Sequence, residues 1–216
     1  RKGLFESEER EVFHKFQLST YDAYHCTINP EAGYPFEIFF SKQWDELFSG
    51  IFGVPTSQDT LASFHHHTVG SKDGWVHNDF ALCSFRENRR EDGVNPWYYQ
   101  CVYEDSSPDQ QPNTFKRMRA ITLMYYLFND PWQDDDGGET GLYAGKDKTD
   151  LVAKIAPINN RLFAFQVSPF SFHAFLSNKG SSRNTIIQWL HADPAIMLQS
   201  YPGHEPVRWP DFQKAR

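Results

Sequence analysis

"RLFAFQVSPFSFHAFLSNKGSSRNTIIQWLH", residues 161–191, holds three apolar runs separated by turn formers: 161–167, 171–176 and 184–191. Each is shorter than an ordinary helix, rich in Phe, Val, Ile or Trp, and bounded by Ser, Pro, Asn or Gly. Those are strand signals. The same rhythm extends upstream through 61–68, 75–85, 120–128 and 140–144, with Gly, Asp and Asn between the runs. Several short strands spaced by turns predict a barrel or sandwich. Before Pro55 the period changes. Phe5, Val12, Phe13 and Phe16 are spaced for one helical face, behind acidic Glu6, Glu8, Glu9 and Glu11. A second helix is expected over 41–52, capped by Ser41, with Trp44, Leu47, Phe48 and Ile51 on one face and Gly53 and Pro55 as its stop.

The expected fold class is therefore mainly β with flanking helices, in one domain over residues 1–216. Helical support occupies 1–55, the β core 60–192, an inserted loop 86–118 and an irregular, proline-bearing arm 193–216. The insert carries Arg86, Arg89 and Arg90 and an aromatic cluster of Trp97, Tyr98, Tyr99 and Tyr103. A loop of that length in a compact domain points to a substrate lid or a variable surface insertion.

Composition narrows the function classes. With 21 basic and 28 acidic residues the net charge is -7, and the Lys and Arg are dispersed, which argues against a nucleic-acid surface. No run approaches the roughly 20 apolar residues of a membrane span, so no membrane partner is expected. Cys26, Cys83 and Cys101 share no CxxC spacing and read as structural thiols in a reducing compartment. With no signal peptide visible, the reading is cytoplasmic, and Arg1 is expected to lie downstream of a native start.

Chemistry concentrates at "GWVHND" (74–79) and in the opening stretch. On a strand, His77 and Asp79 share a face and Asn78 points away. His173 follows an apolar strand and a turn. Ten residues later Arg183 opens "RNTIIQWL", with Thr185, Ile187 and Trp189 on its face. Two histidines and one carboxylate on adjoining strands suit the facial triad of non-haem Fe(II) oxygenases. A buried arginine needs an anion, which a bound carboxylate would supply. The adjacent His65, His66 and His67 cannot converge on one zinc ion, because His66 faces away from the other two. Asp134, Asp135 and Asp136 precede Gly137 and Gly138 and read as a solvated turn rather than a calcium loop.

Five stretches in order, "HTVGSKDGWVHND", "RAITLMYYLFNDPW", "GGET", "RLFAFQVSPFSFH" and "RNTIIQW", resemble the Fe(II)/2-oxoglutarate-dependent dioxygenases of the prolyl-hydroxylase type, and within them the hypoxia-sensing prolyl hydroxylases. The resemblance runs from about His67 to Trp189. It implies a double-stranded β-helix (jelly-roll or cupin-like) core and the cofactors Fe(II), 2-oxoglutarate and O2, with ascorbate as a supporting reductant. It implies that His77, Asp79 and His173 bind iron and that Arg183 and Tyr126 hold the distal carboxylate of 2-oxoglutarate. Thr122 and Thr185, which share the parity of Tyr126 and Arg183, would line the cosubstrate pocket. His67 stands where the family often has a tyrosine and would look into the same pocket. With Asp79 in place, oxygen transfer is favoured over halogenation. The expected reaction is hydroxylation of an unactivated C–H on an amino-acid-type substrate, peptidyl or free, prolyl included. A natural-product intermediate is an alternative substrate, and a ligand-binding module without turnover is an alternative function. The protein is expected to act as a monomer or homodimer.

Overall fold

The computed structural model describes residues 14–18, 21–87, 89–96 and 114–207. It is mostly antiparallel β, as the run lengths predict. In chain order the strands are β1 (His14–Leu18), β2 (Tyr21–Ile28), β3 (Asp59–His67), β4 (Leu82–Arg86), β5 (Asn95–Pro96), β6 (Thr114–Tyr126), β7 (Thr140–Tyr143), β8 (Leu151–Ile155), β9 (Arg161–Gln166), β10 (Phe172–Phe175) and β11 (Arg183–Ala192). Two helices, α1 (Lys42–Phe52) and α2 (Pro194–Ser200), complete the described elements apart from short 3-10 turns.

The larger sheet runs β1-β2-β3-β11-β6-β4, with β9 also paired to β6 and β5 to β3. The smaller sheet is β10-β7-β8. This is a jelly roll of two antiparallel sheets. The alternation in β11 explains their placement. Ile186 and Leu190 face outward into apolar clusters built by the helices, while Arg183, Ile187 and Trp189 face the space between the sheets.

On the outer face α1 places Phe48 in a cluster with Ile121, Leu123, Leu190 and Met197, the last from α2. Its start and stop follow the sequence. Trp44 N donates to Ser41 Oγ at 3.3 Å, and Gly53 takes the left-handed φ of 66° that closes the helix. Of the expected apolar face, Leu47 and Ile51 stay exposed, because the helix packs through Trp44, Phe48 and Phe52.

Three expectations need correcting. The proposed N-terminal helix over 5–18 is a strand where it is described: β1 pairs antiparallel with β2, and hairpin pairing overrides the helical spacing. The remainder of that segment lies outside the described residues. The arm after 193 is not irregular throughout, since Asp193 accepts from Ala195 N at 2.9 Å and Pro194 occupies the first helical turn of α2. The 86–118 loop is shorter than its sequence implies, because β6 already begins at Thr114. Residues 97–113, with Trp97, Tyr98, Tyr99, Tyr103 and Cys101, lie outside the described residues. Cys83 is buried beside Leu61, Phe85 and Trp189, and burial raises the thiol pKa of half-buried Cys26.

Candidate active site

His77 is not part of a strand, contrary to the expectation for "HND". It forms an isolated antiparallel bridge to His173 of β10, with His77 N donating to His173 O at 3.0 Å and His173 N to His77 O at 2.8 Å. This reciprocal pair sets the two histidines directly opposite one another, with ring centroids 4.5 Å apart. Each imidazole is oriented in the same way. Nδ1 of His77 lies 2.9 Å from Trp75 O, and Nδ1 of His173 lies 3.0 Å from Ser171 O. A carbonyl partner places the ring hydrogen on Nδ1 and leaves Nε2 with its lone pair for a metal.

Asp79 completes the group. One ligand atom from each of His77, Asp79 and His173 lies within 4.8 Å of the others. The carboxylate is nearly fully buried and held by three donors: Arg119 Nη1 on Oδ1, Thr122 Oγ1 on Oδ2 at 2.9 Å and Trp189 Nε1 on Oδ2 at 2.8 Å. Burial alone would raise its pKa. The guanidinium of Arg119, followed by His173 and His77, outweighs burial and holds the group ionised, well below the usual carboxylate range. His77 is pushed down to about 4, first by burial and then by His173, so at neutral pH it is an uncharged imidazole, the form that ligates metal. Asn78 turns away as expected, its side chain bonded to Pro169 O and Phe80 N.

Arg119 carried no role in the sequence reading, for a definable reason. Simple alternation along β6 puts Thr122, Met124 and Tyr126 on the inner face and Arg119 on the outer. The β6–β11 register, however, shifts between Leu190↔Ile121 and His191↔Arg119, leaving Ala120 as an extra residue. This bulge returns Arg119 to the cavity side. There its guanidinium lies 4.2 Å from the Trp189 ring centroid while its Nη1 holds Asp79.

At the other end of the cavity Arg183 is 2% exposed. Its Nη2 donates to Thr140 Oγ1 at 3.1 Å, and its guanidinium lies 5.3 Å from the Tyr126 ring and 5.2 Å from that of Phe175. Its Nε has no hydrogen-bond partner and no carboxylate pairs with it among the described residues. The Tyr126 hydroxyl is 2.7 Å from the same Thr140 Oγ1. Thr140, from the quoted "GGET", thus joins the two expected carboxylate-binding residues, a role its position alone did not suggest. Gly137, just before it, is required by packing: a Cβ there would sit 2.0 Å from Ser177 O, and its φ is 74°.

The remaining expected pocket residues divide. Thr122 lines the cavity but bonds to Asp79, so its hydroxyl serves that carboxylate. Thr185 and His67 are not among the lining residues. Thr185 Oγ1 donates to Tyr125 O at 3.2 Å, and His67 is fully buried with its ring stacked 3.8 Å from that of Phe175. In their place His65 and His25 line the wall. Arg89 and Arg90 of the insert do not present free cations to a ligand, since Arg89 pairs with Asp59 and Glu87 and Arg90 with Asp92.

Residues 98–191, which include Arg119, His173 and Arg183, match the family model of the 2OG-Fe(II) oxygenase superfamily. Over this segment, less than half of its length, the chain resembles that superfamily. Its members use Fe(II), 2-oxoglutarate and O2. A prolyl 3-hydroxylase of Xenopus laevis is 31% identical over 97 residues, which are 43% of this chain and 19% of that protein, so the chain aligns with about a fifth of the relative's length. Among solved structures, the prolyl-4-hydroxylase of Pseudomonas putida superposes with a TM-score of 0.55 at 15% identity, covering 84% of this chain and 77% of that one. A Trichoplax adhaerens prolyl hydroxylase, solved with a hypoxia inducible factor oxygen degradation domain peptide fragment, gives 0.52 at 20% identity, covering 88% and 74%. The fold of this chain is thus shared with these two solved structures.

Proposed function

We propose that the chain is the catalytic domain of a 2-oxoglutarate-dependent dioxygenase that hydroxylates an unactivated C–H bond of an amino-acid-type substrate, with prolyl groups among the candidates. One observation carries the reading. Arg183 is a buried cation without a carboxylate partner among the described residues, and it faces the cavity into which His77, Asp79 and His173 converge.

The donor set fits the metal. Two imidazole nitrogens and one carboxylate form the ligand group used by non-haem Fe(II) oxygenases, which leaves positions open for a chelating oxoacid and O2. His77, Asp79 and His173 would hold the iron, and Arg183 with Thr140 and Tyr126 would take the distal carboxylate of 2-oxoglutarate. With both bound, oxidative decarboxylation of 2-oxoglutarate to succinate and CO2 supplies the oxidising power for C–H hydroxylation. Arg119, Thr122 and Trp189 keep Asp79 ionised and fixed in orientation. Leu61, Met124, Ile187 and Trp189 form apolar walls that exclude water from the reacting centre.

The test is succinate formation from 2-oxoglutarate by the chain supplied with Fe(II), ascorbate and O2. Succinate is expected, and His173→Ala should abolish it through loss of iron. A folded, iron-loaded sample that releases none, even uncoupled from substrate, would overturn the reading.

A further inference from the structure

The cavity holds two indoles, and only one of them is bound to Asp79. Trp189 donates to that carboxylate and stacks with Arg119. Trp75 is half-buried, lines the same cavity, and sets its ring 5.1 Å from that of His77 at an angle of 37°. Backbone pairing fixes where it stands. Gly74 N donates to Phe175 O at 2.8 Å and His77 bridges His173, so segment 74–77 runs antiparallel beside β10 and Trp75 falls opposite Phe175. On its other side Phe175 is opposite Thr140 of β7. Thr140, Phe175 and Trp75 thus form one row across the small sheet, and all three line the cavity. Neighbouring strands are about 4.8 Å apart, which puts the Trp75 backbone roughly 10 Å from that of Thr140, the residue bonded to Arg183. The indole therefore stands beside His77, at the end of the row away from the arginine.

We propose that Trp75 is a specificity-determining residue that takes an uncharged aliphatic group of the substrate against its indole; the proposal rests on the oxygenase reading above. An indole offers a large apolar surface with few rotatable bonds to immobilise. The same ring also attracts cations, so the charge of the cavity decides between the two kinds of group. Its described lining carries the guanidinium groups of Arg119 and Arg183 against the single carboxylate of Asp79, a positive excess. Bound Fe(II) and the 2-oxoglutarate dianion would cancel each other and leave that excess in place. A substrate ammonium would thus be desolvated among cations with no anion to receive it, which is unfavourable by several kcal/mol or more. An aliphatic group meets no such penalty, and Ala23, Leu61 and Ile187 extend the apolar lining it would bury.

The test is fluorine nuclear magnetic resonance of the chain carrying 5-fluorotryptophan and loaded with Zn(II) and 2-oxoglutarate, the Trp75 signal being the one missing from Trp75→Phe. The probes are N-acetyl-L-prolinamide and N-acetyl-L-leucinamide, both uncharged, and N-acetyl-L-lysinamide, a cation. At least one uncharged probe should shift the Trp75 signal saturably, and the lysine probe should not. This arm is read on the parent protein and does not depend on the folding of a truncated variant. In saturation-transfer measurements, Trp75→Ala should weaken the uncharged probe at least about tenfold and Trp75→Phe less than about threefold, while both bind 2-oxoglutarate within about twofold of the parent. A tryptophan that only supports the fold would not divide the two ligands in this way. The proposal is overturned if neither uncharged probe moves the Trp75 signal, if the lysine probe binds as well as they do, or if Trp75→Ala binds them as the parent does. It is also overturned if a folded Trp75→Ala loses 2-oxoglutarate affinity in step, since the indole would then belong to the cosubstrate. The two readings fail separately. If 2-oxoglutarate does not bind the Zn(II)-loaded parent, the oxygenase reading fails; if it binds and the uncharged probes leave Trp75 unmoved, only this inference fails.

Discussion

Replacing Arg183 by methionine separates a cosubstrate-binding arginine from a structural one. Burying a guanidinium costs several kcal/mol after relaxation. In the free protein that cost is offset by one charge-assisted hydrogen bond to Thr140, worth about 1.5–3 kcal/mol, and by two ring faces at 5.2 and 5.3 Å, worth about 0.5–2 kcal/mol each. The terms nearly cancel, and methionine restores apolar contact of similar length. Stability without cosubstrate should therefore change by less than about 1 kcal/mol, or rise. Binding should respond differently. Removing one partner of a buried, hydrogen-bonded charge pair costs about 2–5 kcal/mol, or roughly 30- to 4,000-fold in affinity. Urea unfolding of the metal-free protein and calorimetric titration of the Mn(II)-loaded protein with 2-oxoglutarate measure the two quantities. A variant that loses more than about 2 kcal/mol of stability yet binds 2-oxoglutarate as tightly as the parent would refute the reasoning.

Arg119→Leu leaves Asp79 buried without its cation and should cost about 3–5 kcal/mol in the apo protein, and less once Mn(II) faces the carboxylate; unfolding with and without metal gives the difference. The Asp79 pKa should rise in that variant, so metal binding should weaken at a higher pH than in the parent, as a pH series of metal titrations would register. Thr140→Val removes the hydroxyl shared by Tyr126 and Arg183 and should raise the 2-oxoglutarate requirement, though less than Arg183→Met, in a succinate assay. Apo stability should fall as pH drops from 6.5 toward 4: unfolded His77 and His191 take up protons there, while the folded residues, at about 4 and about 3, do not, so each contributes a slope of up to about 1.4 kcal/mol per pH unit in urea melts. Below about pH 4 the depressed Asp79 pKa adds its own loss of stability in the same melts.

The strands of the core were legible because their period and length are local properties. Segments 61–68, 140–144, 161–167, 171–176 and 184–191 all overlap observed strands closely. Strands β1 and β2 were missed because "HKFQL" and "YDAYHCTI" become strands by pairing with each other and with β3; the first is too short for its alternation to outweigh the helical spacing upstream, and the second does not alternate cleanly in hydrophobicity. His77 and Asp79 converge although the strand assumed for them is absent. What places His77 is a single bridge to His173, whose backbone groups it satisfies in both directions. Only the opposing strand supplies that partner.

The division between His65 and His67 has the same origin. Alternation along β3 puts both rings on the inner face, and both are there. One lines the cavity and the other does not, because Phe175 of β10 descends onto His67 and closes the space at that level. A strand's period determines which face a side chain occupies, whereas the extent of a cavity depends on what the facing sheet brings against it. Arg119 shows the converse: its face itself changed, through one extra residue whose presence depends on the register with β11. In this site the residues that converge, His77, Asp79 and His173, are readable in one dimension. The residues that orient them, Arg119 on Asp79 and Thr140 between Tyr126 and Arg183, are fixed by register and sheet contact, which only the folded chain supplies.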